Sequence, residues 1–225
     1  MSFRDLLHDV ENVEVRTSVI HEMLNYSVKN ENKPLLFTNI VESEGHKAAM
    51  NVLTRERICK TFDISPGKLI DIMAWAMKNP SEPTIVSESE SPVMENTQKE
   101  VNLDIIPIPW HYPEDKGRYQ SASVIIAEYG GIRNMSFHRQ FLRDKNHTVS
   151  RFVPRHLRTM MEGAQEKGDQ VSIAVVNAPD PVVLLAAAMS FNEPLDELKV
   201  ASSLHLKLHG EPLKLVRLSK TSSRP

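Results

Sequence analysis

Polar side chains that could do chemistry fall into three short stretches of this 225-residue sequence. An asparagine oxygen, an imidazole and a carboxylate together suit a divalent cation with mixed ligands, such as Mn²⁺. Arginines beside the start of a helix favour an anion, because the free N–H groups and the dipole there attract negative charge. The same residues are also typical of a solvated surface, so spacing alone leaves these interpretations open. They are Asn134, Ser136, His138, Arg139, Arg151, Arg155, His156, Glu193, Asp196 and Glu197.

The first of these stretches lies on a predicted β-hairpin. Residues 121–129 and 132–141 are rich in β-forming side chains and flank a two-glycine turn. On a regular strand Asn134 and Ser136 share one face, whereas Arg139 has the opposite parity. Arg139 can therefore join the other two at one site only if the strand ends, bends or bulges just before it.

The remaining pattern mixes helices and strands, which predicts an α/β (α+β) fold. A capping residue precedes Pro66 and Pro181, and each pair marks a helix start. A polar stretch at 87–92 indicates a linker, and we place a boundary near residue 100, between domains of residues 1–100 and 101–225. We expect helical spacing within 4–29, helices over 55–62, 68–78, 154–166, 182–189 and 194–204, strands over 34–40, 171–176 and 213–218, and a non-helical segment at the proline-rich residues 103–109.

Composition and charge narrow the classes of function. The chain has 27 basic and 29 acidic residues, so it lacks the basic excess of a nucleic-acid-binding protein. The single Cys59 excludes an internal disulfide, fits a reducing cytoplasm and is interpreted as a buried small hydrophobe. The N-terminus lacks the apolar region of a signal peptide, and no run approaches the roughly 18 apolar residues that span a bilayer. We predict a soluble cytoplasmic protein without nucleic-acid or membrane partners.

Six short stretches carry a resemblance to a known family. The most specific are GIRNMSFHR at residues 131–139 and VPRH at 153–156. The others are PLLFTNI at 34–40, NVLTRERI at 51–58, LDIIPIPWHYPEDKG at 103–117, and AAM at 187–189 with LDE at 195–197. In this order they resemble the N-terminal half of a UbiD-family decarboxylase, the class that depends on prenylated FMN.

The resemblance implies roles for particular residues. Asn134, His156 and Glu197 match the family's Mn²⁺ ligands, and the Mn²⁺ bridges to the phosphate of the prenylated FMN. Arg139 matches the catalytic arginine that faces both the reacting carboxylate and the flavin ring. The other implied cofactor residues are Ser136 near the phosphate, Ser121 lining the flavin, Met189 in a loop whose carbonyls hold K⁺, and Arg155, which stands where several members have Gln and could pair with phosphate.

The resemblance also implies a fold and an activity. Residues from about 102 onward would form the first part of a split β-barrel flavin-binding domain, with the C-terminal domain absent. Family members are carbon–carbon lyases that remove CO₂ from an α,β-unsaturated or aromatic carboxylic acid without oxidation. Two glutamates with four residues between them follow the family's equivalent of residues 213–218, and residues 219–225 here contain neither. We therefore expect that this polypeptide alone does not turn over.

Three interpretations follow from that expectation. The chain is one part of a split enzyme, whose second polypeptide supplies the C-terminal half and which is an oligomer once complete. Alternatively it is a truncated, inactive fragment, or a flavin- or metal-binding module without decarboxylase chemistry. Co-elution with a partner would favour the first, aggregation through exposed apolar surface the second, and tight flavin binding by the lone chain the third.

Overall fold

The computed structural model describes residues 2–190 and 195–218. In chain order the strands are β1 (Glu11–Val13), β2 (Leu35–Phe37), β3 (Ala48–Met50), β4 (Thr84–Val86), β5 (Tyr119–Gln120), β6 (Val124–Tyr129), β7 (Ile132–Phe137), β8 (Gln140–Asp144), β9 (His147–Ser150), β10 (Ser172–Val176) and β11 (Lys214–Val216). The α-helices are α1 (Glu22–Lys29), α2 (Arg55–Phe62), α3 (Pro66–Lys78), α4 (His156–Gln165), α5 (Pro181–Ala187) and α6 (Glu197–His209). The predicted mixed α/β class is confirmed, and the strands of the described residues do not close into a barrel.

The described residues form two compact units, each built from separate segments of the chain. The first unit contains the residues up to Pro66, with Glu100–Ser123 and His138–Arg151. The second contains Gly67–Lys99, Val124–Phe137 and the residues from Phe152 onward. Each unit contains residues from before and after residue 100. The division into domains of residues 1–100 and 101–225 stays a prediction.

The first unit holds two three-stranded sheets. In one, β2 pairs parallel with β1 and antiparallel with β3; in the other, β8 lies between β5 and β9. Arg118 fixes the proline-rich segment, because its guanidinium donates to the carbonyls of Ile106 and Ile108 and pairs with Asp104. That segment contains one short 3-10 turn, Leu103–Ile105, and otherwise has the expected non-helical backbone. The core around the first sheet consists of Val13, Val19, Met23, Leu35, Phe37 and Ile40.

The second unit is organised around the antiparallel sheet β10-β6-β7 and a parallel pair of β11 with β4. One face of β6 is covered by α4, whose Leu157 and Met160 pack on Ile125 and Ala127. Helix α5 begins at Pro181, as predicted, and Asp180 caps it: the Asp180 carboxylate accepts from the Val182 N–H at 2.9 Å. The helix predicted over 194–204 is observed as α6, which begins after the N-cap Asp196, whose carboxylate accepts from the Leu198 N–H.

Most predicted elements are confirmed, including Cys59 as a buried side chain. Residues 4–29, where helical spacing was predicted, contain one α-helix, α1. The buried Val13 in the middle of this range belongs to strand β1. The predicted return strand over 132–141 is wrong in extent, since β7 ends at Phe137 and the following residues enter another sheet. The reason is Gln140, which is 1% exposed and donates to the Ser123 hydroxyl in the first unit. In the described ranges no helix is long and apolar enough to cross a membrane.

The two-glycine hairpin turn offers a test of the fold. Gly130 and Gly131 both have positive φ, +61° and +79°, which is the type I′ conformation. Gly131→Ala is expected to lower the free energy of unfolding by about 1 kcal/mol, because a Cβ is strained in left-handed backbone even where space is open. Gly163→Ala is the matched control: it lies inside α4 with no atom near its added Cβ, so it should raise stability by roughly 0.5 kcal/mol. Urea unfolding measures both changes in the free energy of unfolding. Changes of the same sign in the two variants would contradict the turn assignment.

Candidate functional site

The start of α6 presents two carboxylates side by side. Asp196 is the N-cap, and its Oδ1 accepts from the Leu198 N–H at 3.0 Å. Glu197 is the first helical residue and is 4% exposed. The helix is anchored by a buried face that includes Leu198, Ala201 and Leu204, so its first turn cannot move without disturbing that packing. The sequence therefore places one capping carboxylate and one buried carboxylate at the same helix end.

The Glu197 carboxylate lies against the edge of β7. Its Oε1 accepts from the Asn134 side-chain amide at 2.9 Å, and its Oε2 accepts from the Met135 backbone N–H at 2.8 Å. The Ser136 hydroxyl donates to the Asn134 side-chain oxygen at 3.3 Å. The structure thus brings together three of the residues predicted from the sequence, Asn134, Ser136 and Glu197. The shared face that strand parity predicts for the first two is consistent with this contact.

Burial dominates the electrostatics of Glu197. It raises the pKa of this carboxyl from its ordinary 4.5 to about 7, and the negative charge of Asp196 acts in the same direction. The hydrogen bonds from the Met135 N–H and the Asn134 amide oppose this shift because they stabilise the ionised form. A buried carboxylate without a cation beside it is costly, so this position favours either a bound proton or a bound metal ion.

A second pair links the same two elements. Arg133 on β7 donates from Nε and Nη2 to the Asp196 carboxylate, with the shortest bond at 2.6 Å. Sequence reasoning did not single out Arg133, although it directly precedes Asn134. Arg133 and Asp196, like Asn134 and Glu197, are 63 residues apart, and such a separation leaves no local signal in the sequence.

The other predicted cofactor residues of this unit lie at the start of α4 and after α5. His156 is the first residue of α4 and is half-buried, and its imidazole makes no hydrogen bond within the described ranges. Arg155 is exposed at the N-cap and donates to the Ser190 hydroxyl at 3.2 Å. Met189, next to Ser190, is half-buried. Glu193 lies outside the described residues.

Arg139 and Ser121 belong to the first unit. The Arg139 guanidinium carbon lies 3.8 Å from the centre of the Tyr119 ring, and Nη2 donates to the Asp115 carboxylate at 2.8 Å. The hydrogen bond from Arg139 holds the Asp115 pKa below its usual value. The Arg139 side chain stays 56% exposed, so part of its hydrogen-bonding edge faces solvent. Ser121 is exposed.

His111 stands beside the Arg139–Asp115 pair and responds mainly to burial. Burial lowers the pKa of its imidazole, while the Asp115 charge acts in the opposite direction. Burial likewise lowers the pKa of His138. A lowered pKa favours the neutral form of both imidazoles, so neither adds to the positive charge that Arg139 presents. Asp115 lies within one of the family-like stretches, but its contact with Arg139 was not predicted, because residues 24 positions apart share no local sequence signal.

The donor atoms at α6 and β7 fit a hard divalent cation. A carboxylate and an amide oxygen are the ligand types that Mn²⁺ accepts, and an imidazole completes the predicted set. Within the described residues no three His, Cys, Asp or Glu side chains cluster as metal ligands. The predicted set contains only two such residues, His156 and Glu197, with Asn134 as the third ligand. The fit rests on the buried Glu197 carboxylate, whose charged form has no cation at hydrogen-bond distance in the described residues.

Comparisons with known proteins bear on the family and the fold of this chain. The family model of the UbiD 3-octaprenyl-4-hydroxybenzoate carboxy-lyase Rift-related domain matches residues 84–224. Anhydromevalonate phosphate decarboxylase of Methanothermobacter thermautotrophicus is 32% identical over 185 residues, which are 81% of this chain and 42% of that protein. A Rhodospirillum rubrum protein encoded in the cooM 5′ region is 32% identical over 221 residues, 91% of this chain and 46% of its own length.

Solved structures show the same relationship. The UbiD-class enzyme HmfF from Pelotomaculum thermopropionicum, in complex with FMN, superposes with a TM-score of 0.89 at 25% identity, over 98% of this chain and 51% of that one. Vanillic acid decarboxylase of Sedimentibacter hydroxybenzoicus shares the fold, with a TM-score of 0.85 at 16% identity over 97% of this chain and 51% of that one. The chain therefore spans about half the length of the relatives it matches.

The raised pKa of Glu197 predicts a pH-dependent stability in the metal-free chain. Between pH 4.5 and about 7 the unfolded state loses the Glu197 proton while the folded state keeps it, so stability falls as the pH rises. Relative to Glu197→Gln, the wild-type free energy of unfolding should fall by on the order of 3 kcal/mol across that window. Chemical denaturation at several pH values measures the difference. A difference that is flat or rises with pH would show that Glu197 is ionised when folded.

Proposed function

Because the chain belongs to the UbiD family, we propose that it serves a non-oxidative decarboxylation that depends on prenylated FMN. The substrate class is an α,β-unsaturated or aromatic carboxylic acid. The observation that carries the proposal is the buried Glu197 carboxylate, bonded to Asn134 at 2.9 Å and suited to a cation. Support also comes from the anhydromevalonate phosphate decarboxylase relatives and from HmfF, which is solved with prenylated FMN.

The proposed metal is Mn²⁺, with Asn134, His156 and Glu197 as its ligands. A cation there would neutralise the Glu197 charge that burial otherwise disfavours. The residues proposed to hold the cofactor and its ions are Ser136 and Arg155 toward the phosphate, Ser121 toward the flavin, and Met189 through a carbonyl toward K⁺. Arg155 is exposed, and its partner among the described residues is the neutral Ser190 hydroxyl, which leaves the guanidinium charge for a phosphate.

Arg139 is the proposed catalytic residue for the substrate carboxylate. A guanidinium stays charged at all relevant pH values and donates in a planar fork that matches a carboxylate. Tyr119 supports one face of the guanidinium at 3.8 Å, and Asp115 takes the Nη2 donor. The other N–H groups of Arg139 hold the substrate carboxylate, whose bond to the rest of the substrate breaks when CO₂ leaves. When bound, prenylated FMN supplies the electron sink for loss of CO₂.

We also propose that turnover requires a second polypeptide that resembles the other half of the family. The relatives are about twice as long as this chain, and the proposed second polypeptide would correspond to the part of them that this chain does not match. The compartment of this assembly is proposed to be the cytoplasm. Native purification from the source cells under mild conditions, with intact mass of everything that co-purifies, tests the idea. A partner with prenylated FMN and Mn²⁺ supports it, and a chain that purifies without any partner contradicts it.

Metal binding gives a direct test of the proposed ligands. Glu197→Ala and Asn134→Ala should each weaken Mn²⁺ binding by at least about 100-fold, the upper range for residues that merely support a ligand. Glu162→Ala is the matched control, because Glu162 is a surface partner of Arg158 one turn along α4. Electron paramagnetic resonance of free Mn²⁺ measures the affinity. Equal affinities for the three variants would remove Glu197 and Asn134 from the site.

Arg139 is tested in the assembled, cofactor-loaded protein. Arg139→Lys keeps the positive charge but loses the fork, so kcat/KM should fall by roughly 10²-fold or more. Arg143→Lys is the control, because Arg143 lies nearby on β8 with its side chain 68% exposed. Steady-state decarboxylation rates at fixed pH give the comparison. An Arg139→Lys enzyme as active as the Arg143→Lys enzyme would leave Arg139 as a surface ion-pair residue.

A further inference from the structure

The contact between β7 and the first turn of α6 consists of two neighbouring side-chain pairs. Arg133 pairs with Asp196, and Asn134 pairs with Glu197. Only the second pair contains proposed metal ligands. The first pair is 22% and 18% exposed at its two side chains, so it is partly shielded from the solvent that weakens surface ion pairs.

Asp196 performs two tasks with one carboxylate. Its Oδ1 accepts from the Leu198 N–H and caps α6, while Arg133 donates to both of its oxygens. A fork-shaped donor fixes the plane of the carboxylate as well as its distance. Because Asp196 is both the N-cap and the partner of Arg133, the first turn of α6 is tied in orientation to β7.

Glu197 depends on that orientation. It reaches the Met135 N–H on β7 at 2.8 Å and the Asn134 amide at 2.9 Å, and both contacts require its backbone to lie at a fixed distance from the strand edge. Arg133 also lies opposite Glu128 on the neighbouring strand, and the Asp196 hydrogen bond is the largest influence on its pKa, which is raised. The strand register therefore places Arg133 beside Glu128, and its hydrogen bonds to Asp196 connect that position to α6.

We propose that Arg133 is a positioning residue, which acts through Asp196 to hold the Glu197 carboxylate where it can bind metal. This inference rests on the proposed function for the metal itself, but the placement of Glu197 can be measured without metal. Arg133 does not touch the proposed ligands with its side chain; its effect is transmitted by the cap of α6. The metal affinity of the site should therefore depend on a residue outside the ligand set.

The first test is amide hydrogen exchange of the metal-free full chain by NMR at fixed pH. The Met135 N–H points to Glu197, so its protection reports the position of that carboxylate. Arg133→Ala and Asp196→Asn should each reduce Met135 protection by about 10-fold, as should Glu197→Ala, which removes the acceptor. The amide of Ala127, on the central strand β6, is the internal reference and should change less than about twofold.

Asp196→Asn separates the two tasks of Asp196. Asparagine keeps an oxygen that can cap α6 but removes the charge that Arg133 binds. Arg133→Ala and Asp196→Asn should therefore act alike, and the double variant should lose no more than either single one. Arg133→Lys, which keeps the charge and loses the fork, should recover part of the Met135 protection. Arg158→Ala, which breaks a surface pair within α4, is the matched control and should leave Met135 unchanged.

The second test is Mn²⁺ affinity of the same variants. Arg133→Ala and Asp196→Asn should weaken it by 10-fold or more, in the range known for residues that support a ligand. Unchanged Met135 protection in Arg133→Ala overturns the inference, and so does an equal loss at Met135 and Ala127, which indicates general destabilisation. A wild-type chain that does not bind Mn²⁺ contradicts the proposed metal site, whereas the exchange result still decides whether Arg133 positions Glu197.

Discussion

A carboxylate that is almost fully out of water, at the edge of a β-sheet, is the constraint around which this chain is arranged. Glu197 is 4% exposed, and its two oxygens accept from one side-chain amide and one backbone N–H of β7. Such a group is tolerated only where hydrogen bonds or a cation compensate for lost hydration. The helix dipole helps, since Glu197 lies in the first turn of α6. The adjacent Asp196 charge works against it.

The same carboxylate also protects the edge of the sheet. β7 is an edge strand of the sheet β10-β6-β7, and an edge presents unpaired backbone donors that invite further pairing. Glu197 takes one of these donors, the Met135 N–H. The hairpin turn at Gly130 and Gly131 fixes the register that sends Asn134 and Ser136 to one side. Edge protection and the proposed metal site therefore share the Glu197 carboxylate.

Local signals in the sequence were sufficient for much of this arrangement. The two-glycine turn, the capped start of α5 and the helix over 55–62 follow from residue types within a few positions of one another. Strand parity required an interruption just before Arg139, and β7 ends at Phe137. Asn134, Ser136 and Glu197 were candidates by residue type, but their roles were assigned only through resemblance to a family, because spacing alone did not distinguish them from solvated surface residues.

What the sequence could not show depends on pairs that are distant along the chain. The Arg133–Asp196 pair spans 63 residues, and the Arg139–Asp115 pair spans 24. The two arginines are held differently: Arg133 is partly shielded and engaged through two donors, whereas Arg139 stays more than half exposed, with one donor engaged and one face on a ring. A guanidinium needs no help to remain charged, so such contacts control orientation and not ionisation. The more completely engaged arginine suits a fixed support, and the one with free donors suits a ligand that arrives and leaves.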